Sequence, residues 1–254
     1  MGALVASVRG AILLVLIGTG LLFLLMARLF EGPIFGPVRP ITPWITQAVC
    51  RFALAILGIR FRINGAPMIG AGAMVANHSS WLDILALNAA TRLYFVSKSE
   101  VAKWPGIGWL ARATGTVFVV RDRKQAQHQV KLFENRLKSG HRLLFFPEGT
   151  STDGRQVLPF KPTLFAAFFA DELNNLALQA VTLNYKAPKG EDRRFYGWWG
   201  NMDLGPHLWS VLGKTHHGSI EVTFHTPIKR SEFLDRKSLA KELENRVRDG
   251  LQPA

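Results

Sequence analysis

The pattern of apolar and polar positions changes period along this chain. Ala11 to Ala27 is an uncharged apolar run between Arg9 and Arg28. At 1.5 Å per residue a helix over it is roughly 26 Å long, close to the ~30 Å hydrocarbon core of a bilayer. It is expected to span a membrane or to lie in one as a shallow anchor. No small-residue cleavage site follows at Met26-Ala27-Arg28, which argues against a signal peptide. Gly32-Pro33, Gly36-Pro37, Pro40 and Pro43 are expected to break that helix. A second apolar stretch, Trp44 to Ile59, is interrupted by Arg51. It reads equally as an interfacial helix, with Trp44 and Arg51 at the headgroup boundary, and as an amphipathic core helix.

From residue 60 strand and helix periods alternate. Strands are predicted at Phe61-Arg62-Ile63, Ala73 to Ala76, Leu93 to Val96, Thr116 to Val120, Arg142 to Phe146, Leu178 to Leu183 and Ile220 to Phe224. Helices are predicted at Leu82 to Ala90, Ile107 to Ala113, Lys124 to Lys138, Thr163 to Ala170 and Ser238 to Leu251. This alternation predicts an α/β fold: a single domain with a largely parallel mixed sheet flanked by helices. Residues 1–59 are read as membrane-associating helices and 60–254 as the catalytic domain.

Composition agrees with that division. The chain has 254 residues, 48% of them hydrophobic, and a formal net charge of +13. The charge calls for an anionic partner, and no Lys/Arg-rich nucleic-acid motif or zinc pattern is present. Nucleic acid is therefore not expected, and neither is a metal. The single Cys50 excludes an internal disulfide and fits a reducing, cytosolic face.

Two short stretches carry candidate chemistry. In Asn77-His78-Ser79-Ser80-Trp81-Leu82-Asp83, an imidazole is followed five residues later by a carboxylate. His78 can remove a proton from a hydroxyl. Asp83 can fold back onto the other ring nitrogen if His78 sits in a turn and Asp83 in the first turn of the next helix. Asn77, Ser79 or Ser80 is expected to cap that helix. The second stretch, Phe145-Phe146-Pro147-Glu148-Gly149-Thr150-Ser151, ends a buried strand in a turn. Backbone N–H groups in such a turn can face an oxyanion or a phosphate.

His-x4-Asp followed some seventy residues later by Phe-Pro-Glu-Gly-Thr resembles the glycerolipid acyltransferase family, which includes the lysophosphatidic acid acyltransferases. The resemblance covers roughly Phe61 to Thr226. It implies that His78 and Asp83 are catalytic. It further implies that Arg121, after Gly115 and Phe118, contacts the acceptor phosphate. Glu148 would help bind the acceptor, Gly149 and Thr150 would lie near the acyl carbonyl, and Lys161 would stand at the family's basic position. No cofactor is implied, since acyl-CoA or acyl carrier protein delivers an activated acyl group. The implied partners are a lysolipid acceptor and membrane lipid, with the active site on the cytoplasmic face.

The chain departs from the family pattern on the acceptor side. Thr163 replaces a common glycine, Gln179-Ala180-Val181 lacks a proline, and Ser151 stands where a basic residue is common. The expected reaction is O-acylation of 1-acyl-glycerol-3-phosphate. The alternative acceptor is a lyso-aminolipid such as lyso-ornithine lipid, which has no phosphate. A serine hydrolase using Ser151 and a non-catalytic lipid-binding protein are the readings from other classes. The hydrolase motif lacks its last glycine.

Overall fold

Strands that must be buried on both faces read as unbroken apolar runs, and such runs build the centre of this sheet. The computed structural model describes residues 1–120 and 126–252. Its strands are β1 (Arg60–Asn64), β2 (Gly72–Ala76), β3 (Tyr94–Lys98), β4 (Val117–Val119), β5 (Arg142–Phe145), β6 (Ala177–Lys186), β7 (Ser219–Phe224) and β8 (Ile228–Lys229). They form one sheet in the order β1-β7-β6-β2-β5-β3-β4, with β8 beside β6. β6 pairs antiparallel with β7 and β8, and every other pairing is parallel. The expected largely parallel mixed sheet is what forms.

The helices are α1 (Gly2–Phe35), α2 (Thr42–Leu57), α3 (Leu82–Ala90), α4 (Ile107–Ala113), α5 (Ala126–Lys138), α6 (Leu204–Gly213) and α7 (Arg236–Asp249). The period-2 alternation of β2 sorts its side chains to opposite faces. Met74 and Ala76 join one core with Leu54, Leu57, Leu82 and Leu87 of α2 and α3. Ala73 and Val75 join the other with Phe165, Phe168, Leu239 and Leu243. The predicted helix at Thr163 to Ala170 is a 3-10 turn, Pro162–Phe169, under α7. α7 starts at Asp235, whose carboxylate accepts from the backbone N–H of Lys237 and Ser238.

α1 departs from expectation. It runs 34 residues, through Pro33, and stops at Gly36 with φ 58°. Proline removes only its own N–H, and in a last turn that costs one intrahelical bond rather than a helix. Its most apolar 18-residue window is only 11% buried. α1 is long and apolar enough to cross a bilayer. Gly20 allows close packing on α2, because a Cβ there would lie 2.4 Å from a Val49 methyl. Arg9 donates to the Leu212 carbonyl at 3.1 Å and ties α1 to the end of α6.

Candidate active site

The chain leaves β2 rightward through α3 to β3 and leaves β5 leftward to β6. The carboxyl ends of β2 and β5 therefore flank a point where the connections diverge, the usual crevice of an open α/β sheet. His78 follows β2, and Pro147 to Thr150 follow β5.

His78 Nδ1 lies 2.6 Å from Asp83 Oδ2. The ring stacks on Phe146 with centroids 4.0 Å apart, and the side chain is 23% exposed. With Nδ1–H given to the carboxylate, Nε2 carries the lone pair and is the nitrogen available to a substrate. Asp83 is fully buried. Its Oδ2 also accepts the backbone N–H of Ser79 (2.7 Å) and Ser80 (3.0 Å), and Oδ1 accepts the Tyr185 hydroxyl. A buried carboxylate stays tolerable when donors surround it. Burial first, and then the Asp83 charge, raise the Tyr185 hydroxyl well above its ordinary range, so it remains a donor.

Of the three residues expected to cap α3, Ser80 does so: its Oγ accepts the Leu82 N–H at 3.3 Å, while Trp81 at the N-cap position makes no side-chain cap bond. The Asp83 carboxylate takes the Ser79 and Ser80 N–H groups just ahead of the helix. Asn77 serves elsewhere. Its amide donates to the Leu183 carbonyl (3.0 Å) and accepts the Leu183 N–H (2.8 Å), pinning the loop to β6.

Glu148 is buried and faces inward. Oε1 accepts the His78 N–H and Oε2 the Leu158 N–H, each at 2.7 Å. It thus fixes the backbone of the loop that carries His78. Burial raises its pKa to about 7, against the lowering effect of those two bonds. A carboxyl raised in the folded state contributes stability below its unfolded pKa and loses it as pH climbs through the folded value. Wild-type Tm, referenced to Glu148→Gln, should therefore fall between about pH 5 and pH 8. The variant itself should be roughly 1–3 kcal/mol less stable than wild type at the acidic end, because its NH2 faces one of the two N–H donors. Calorimetry in detergent across that range checks both, and parallel pH curves would remove Glu148 as the titrating group.

Gly149 adopts φ 74°, and its N–H donates to the Phe146 carbonyl at 3.1 Å. That N–H closes the turn and is not offered to an oxyanion. Lys98 Nζ donates to the Gly149 carbonyl at 3.0 Å, a contact no sequence pattern announced. Thr150 and Lys161 are exposed, and the Lys161 N–H donates to the Pro147 carbonyl. Arg121, with Arg123 and Lys124, lies outside the described residues. Among the described residues no hydroxyl hydrogen-bonds His78 Nε2, and no three His, Cys, Asp or Glu side chains gather to hold a metal. Tyr185 and Asn77 were not foreseen in these roles. Their partners lie 102 and 106 residues away.

This fold and site define a class: α/β proteins with a long apolar N-terminal helix that present an oriented imidazole at the carboxyl ends of a parallel sheet. The profile of the family described as Acyltransferase matches residues 62–172. A protein of Rhodobacter capsulatus named lyso-ornithine lipid O-acyltransferase is 55% identical over 96% of this chain and 89% of its own length. A 1-acyl-sn-glycerol-3-phosphate acyltransferase of Neisseria gonorrhoeae is 31% identical over 79% of this chain and 78% of its own. The crystal structure of the 1-acyl-sn-glycerophosphate acyltransferase of Thermotoga maritima superposes with a TM-score of 0.70 at 20% identity, covering 98% of this chain and 95% of that one. The chain belongs to the acyltransferase family, and it is an acyltransferase.

Proposed function

We propose that this enzyme moves a fatty acyl group from an acyl thioester to the hydroxyl of a lyso-aminolipid of the lyso-ornithine type. The observation that carries the chemistry is the 2.6 Å contact of His78 Nδ1 with buried Asp83. The identity to the Rhodobacter protein, far above that to the phosphate-acceptor enzymes, supports the acceptor. The second reading, 1-acyl-glycerol-3-phosphate, draws on the Neisseria relative. It requires a cation at the acceptor phosphate, the role expected of Arg121.

His78 Nε2 takes the acceptor hydroxyl proton as the oxygen attacks the thioester carbonyl. Asp83 orients the ring and balances the imidazolium charge. The tetrahedral intermediate collapses, the C–S bond breaks, and His78 returns the proton to the departing thiolate. No acyl-enzyme forms, because the donor arrives activated. Since the Gly149 N–H is committed to its turn, exposed Thr150 is the neighbouring candidate for the oxyanion. Residues 1–59 bring the chain to the membrane, and 60–254 carry the reaction, on the cytoplasmic side, with acyl-CoA or acyl carrier protein as donor.

Tyr185 acts through Asp83. Its hydroxyl holds Oδ1 of the carboxylate whose Oδ2 meets His78. Tyr185→Phe should lower kcat on the order of tenfold, as expected for a hydrogen bond to a charged group. KM should change little, and an unchanged kcat would leave Tyr185 a packing residue.

The experiment for the function is mass spectrometry of products from the purified full chain. A panel of lyso-aminolipids and lysophospholipids is offered with acyl-CoA and with acyl carrier protein donors. Product from lysophosphatidic acid alone would overturn the aminolipid reading.

A further inference from the structure

The amino ends of the central strands border a cavity of about 260 Å3. It lies away from His78, which follows the carboxyl end of β2, roughly 13 Å along that strand. Arg39, Arg92, Arg142, Trp44 and His141 line it, and no Asp or Glu is among its lining residues. The arginines are held by neutral groups. Arg142 donates to the Met68 carbonyl (3.2 Å) and Thr91 Oγ1 (3.0 Å), Arg39 donates to the Ala113 carbonyl (3.1 Å), and Arg92 lies 3.7 Å above the Trp44 ring. Among the described residues none of the three forms an ion pair. Burial and then the neighbouring Arg92 lower the Arg142 pKa, while burial and then Arg28 lower that of Arg39. Glu31, which also acts on Arg39, spends its oxygens on Ile41, Thr42 and Arg28.

His141 adds a second, independent signal. It is 4% exposed, and neither ring nitrogen has a partner among the described residues. Burial, then Arg136 and Arg39, bring its pKa down to about 3. The ring is therefore neutral at physiological pH and keeps one N–H donor. A buried donor without an acceptor is costly, and unpaired guanidinium groups beside it repel one another. One anionic group with several oxygens relieves both.

The rim names the source of that anion. Val38 and Trp44, which line the cavity, and Phe35 and Ile41 near them in the chain are large, exposed apolar side chains at the junction of α1 and α2. A soluble anion gains nothing from them, whereas acyl chains do. We propose that this cavity binds the phosphate head group of an anionic membrane lipid, seating the α1–α2 junction against the bilayer surface. Guanidinium groups bind phosphate through paired N–H donors, and Trp beside Arg suits the interfacial layer.

Native mass spectrometry of the full chain in detergent, titrated with phosphatidylglycerol and with phosphatidylcholine, tests this. Wild type should prefer phosphatidylglycerol by tenfold or more. Arg92→Gln and Arg39→Gln should each reduce that preference about fivefold to tenfold, with helix content and Tm retained. The two variants are independent, and Arg92 donates no hydrogen bond to a described residue. Inorganic phosphate should not displace the lipid at millimolar concentration; equal competition would make this a soluble-phosphate site and overturn the lipid assignment. No preference in wild type, or an unchanged preference in both folded variants, would overturn the site itself.

Discussion

His78→Ala should lose transfer by about 10²–10⁴-fold or more, with the protein still folded and bound to membrane. Among the described residues, the His78 imidazole alone holds both a carboxylate on Nδ1 and an open Nε2. Its removal takes away the base that deprotonates the acceptor and the acid that protonates the thiolate. The fold should survive, because Asp83 keeps the Ser79 and Ser80 N–H groups and the Tyr185 hydroxyl. Thiol release from acyl-CoA in the presence of lysolipid, with circular dichroism as the control, measures both. Turnover near that of wild type would sink the mechanism.

Asp83→Asn should be nearly as damaging, for a different reason. The amide oxygen can take the place of Oδ2 and accept from His78, Ser79 and Ser80. The amide NH2 can then donate to the Tyr185 oxygen. Shape and hydrogen bonds are thus largely kept and the negative charge is lost. An imidazolium formed during transfer then has no counter-charge in a buried setting. The carboxylate-to-amide change behind a catalytic histidine costs on the order of 10⁴ in kcat in the serine-protease template. A comparable fall in kcat with little change in KM is expected here. Retention of more than a tenth of wild-type kcat would mean that Asp83 orients His78 without acting through its charge.

The contact of His78 with Asp83 was legible because imidazole and carboxylate are five residues apart, within one loop and one helical turn. Glu148 was legible as an oddity, a carboxylate ending a buried strand, but its partners were not. They are backbone N–H groups of His78 and Leu158, and periodicity says nothing about backbone donors. Tyr185 was hidden in another way. The strand was expected to stop at Leu183, whereas β6 runs to Lys186 because β7 pairs with it along that length. Only that tertiary pairing brings the Tyr185 hydroxyl under Asp83. The sheet itself could be read, since parallel buried strands announce themselves as apolar runs. The course of α1 through Pro33 could not, since a proline near a helix end breaks less than its reputation implies.

The register of β1 sets an order of events during synthesis. Its residues Arg60 to Asn64 pair with Ser219 to Thr223, roughly 160 residues later. At ribosomal speeds of about 5–20 residues per second, that partner emerges on the order of ten seconds or more after β1. By then α1 and α2 have long been made. The β1 edge of the sheet must therefore wait, without its β7 partner, while the rest of the chain is made, and the sheet closes only late in synthesis.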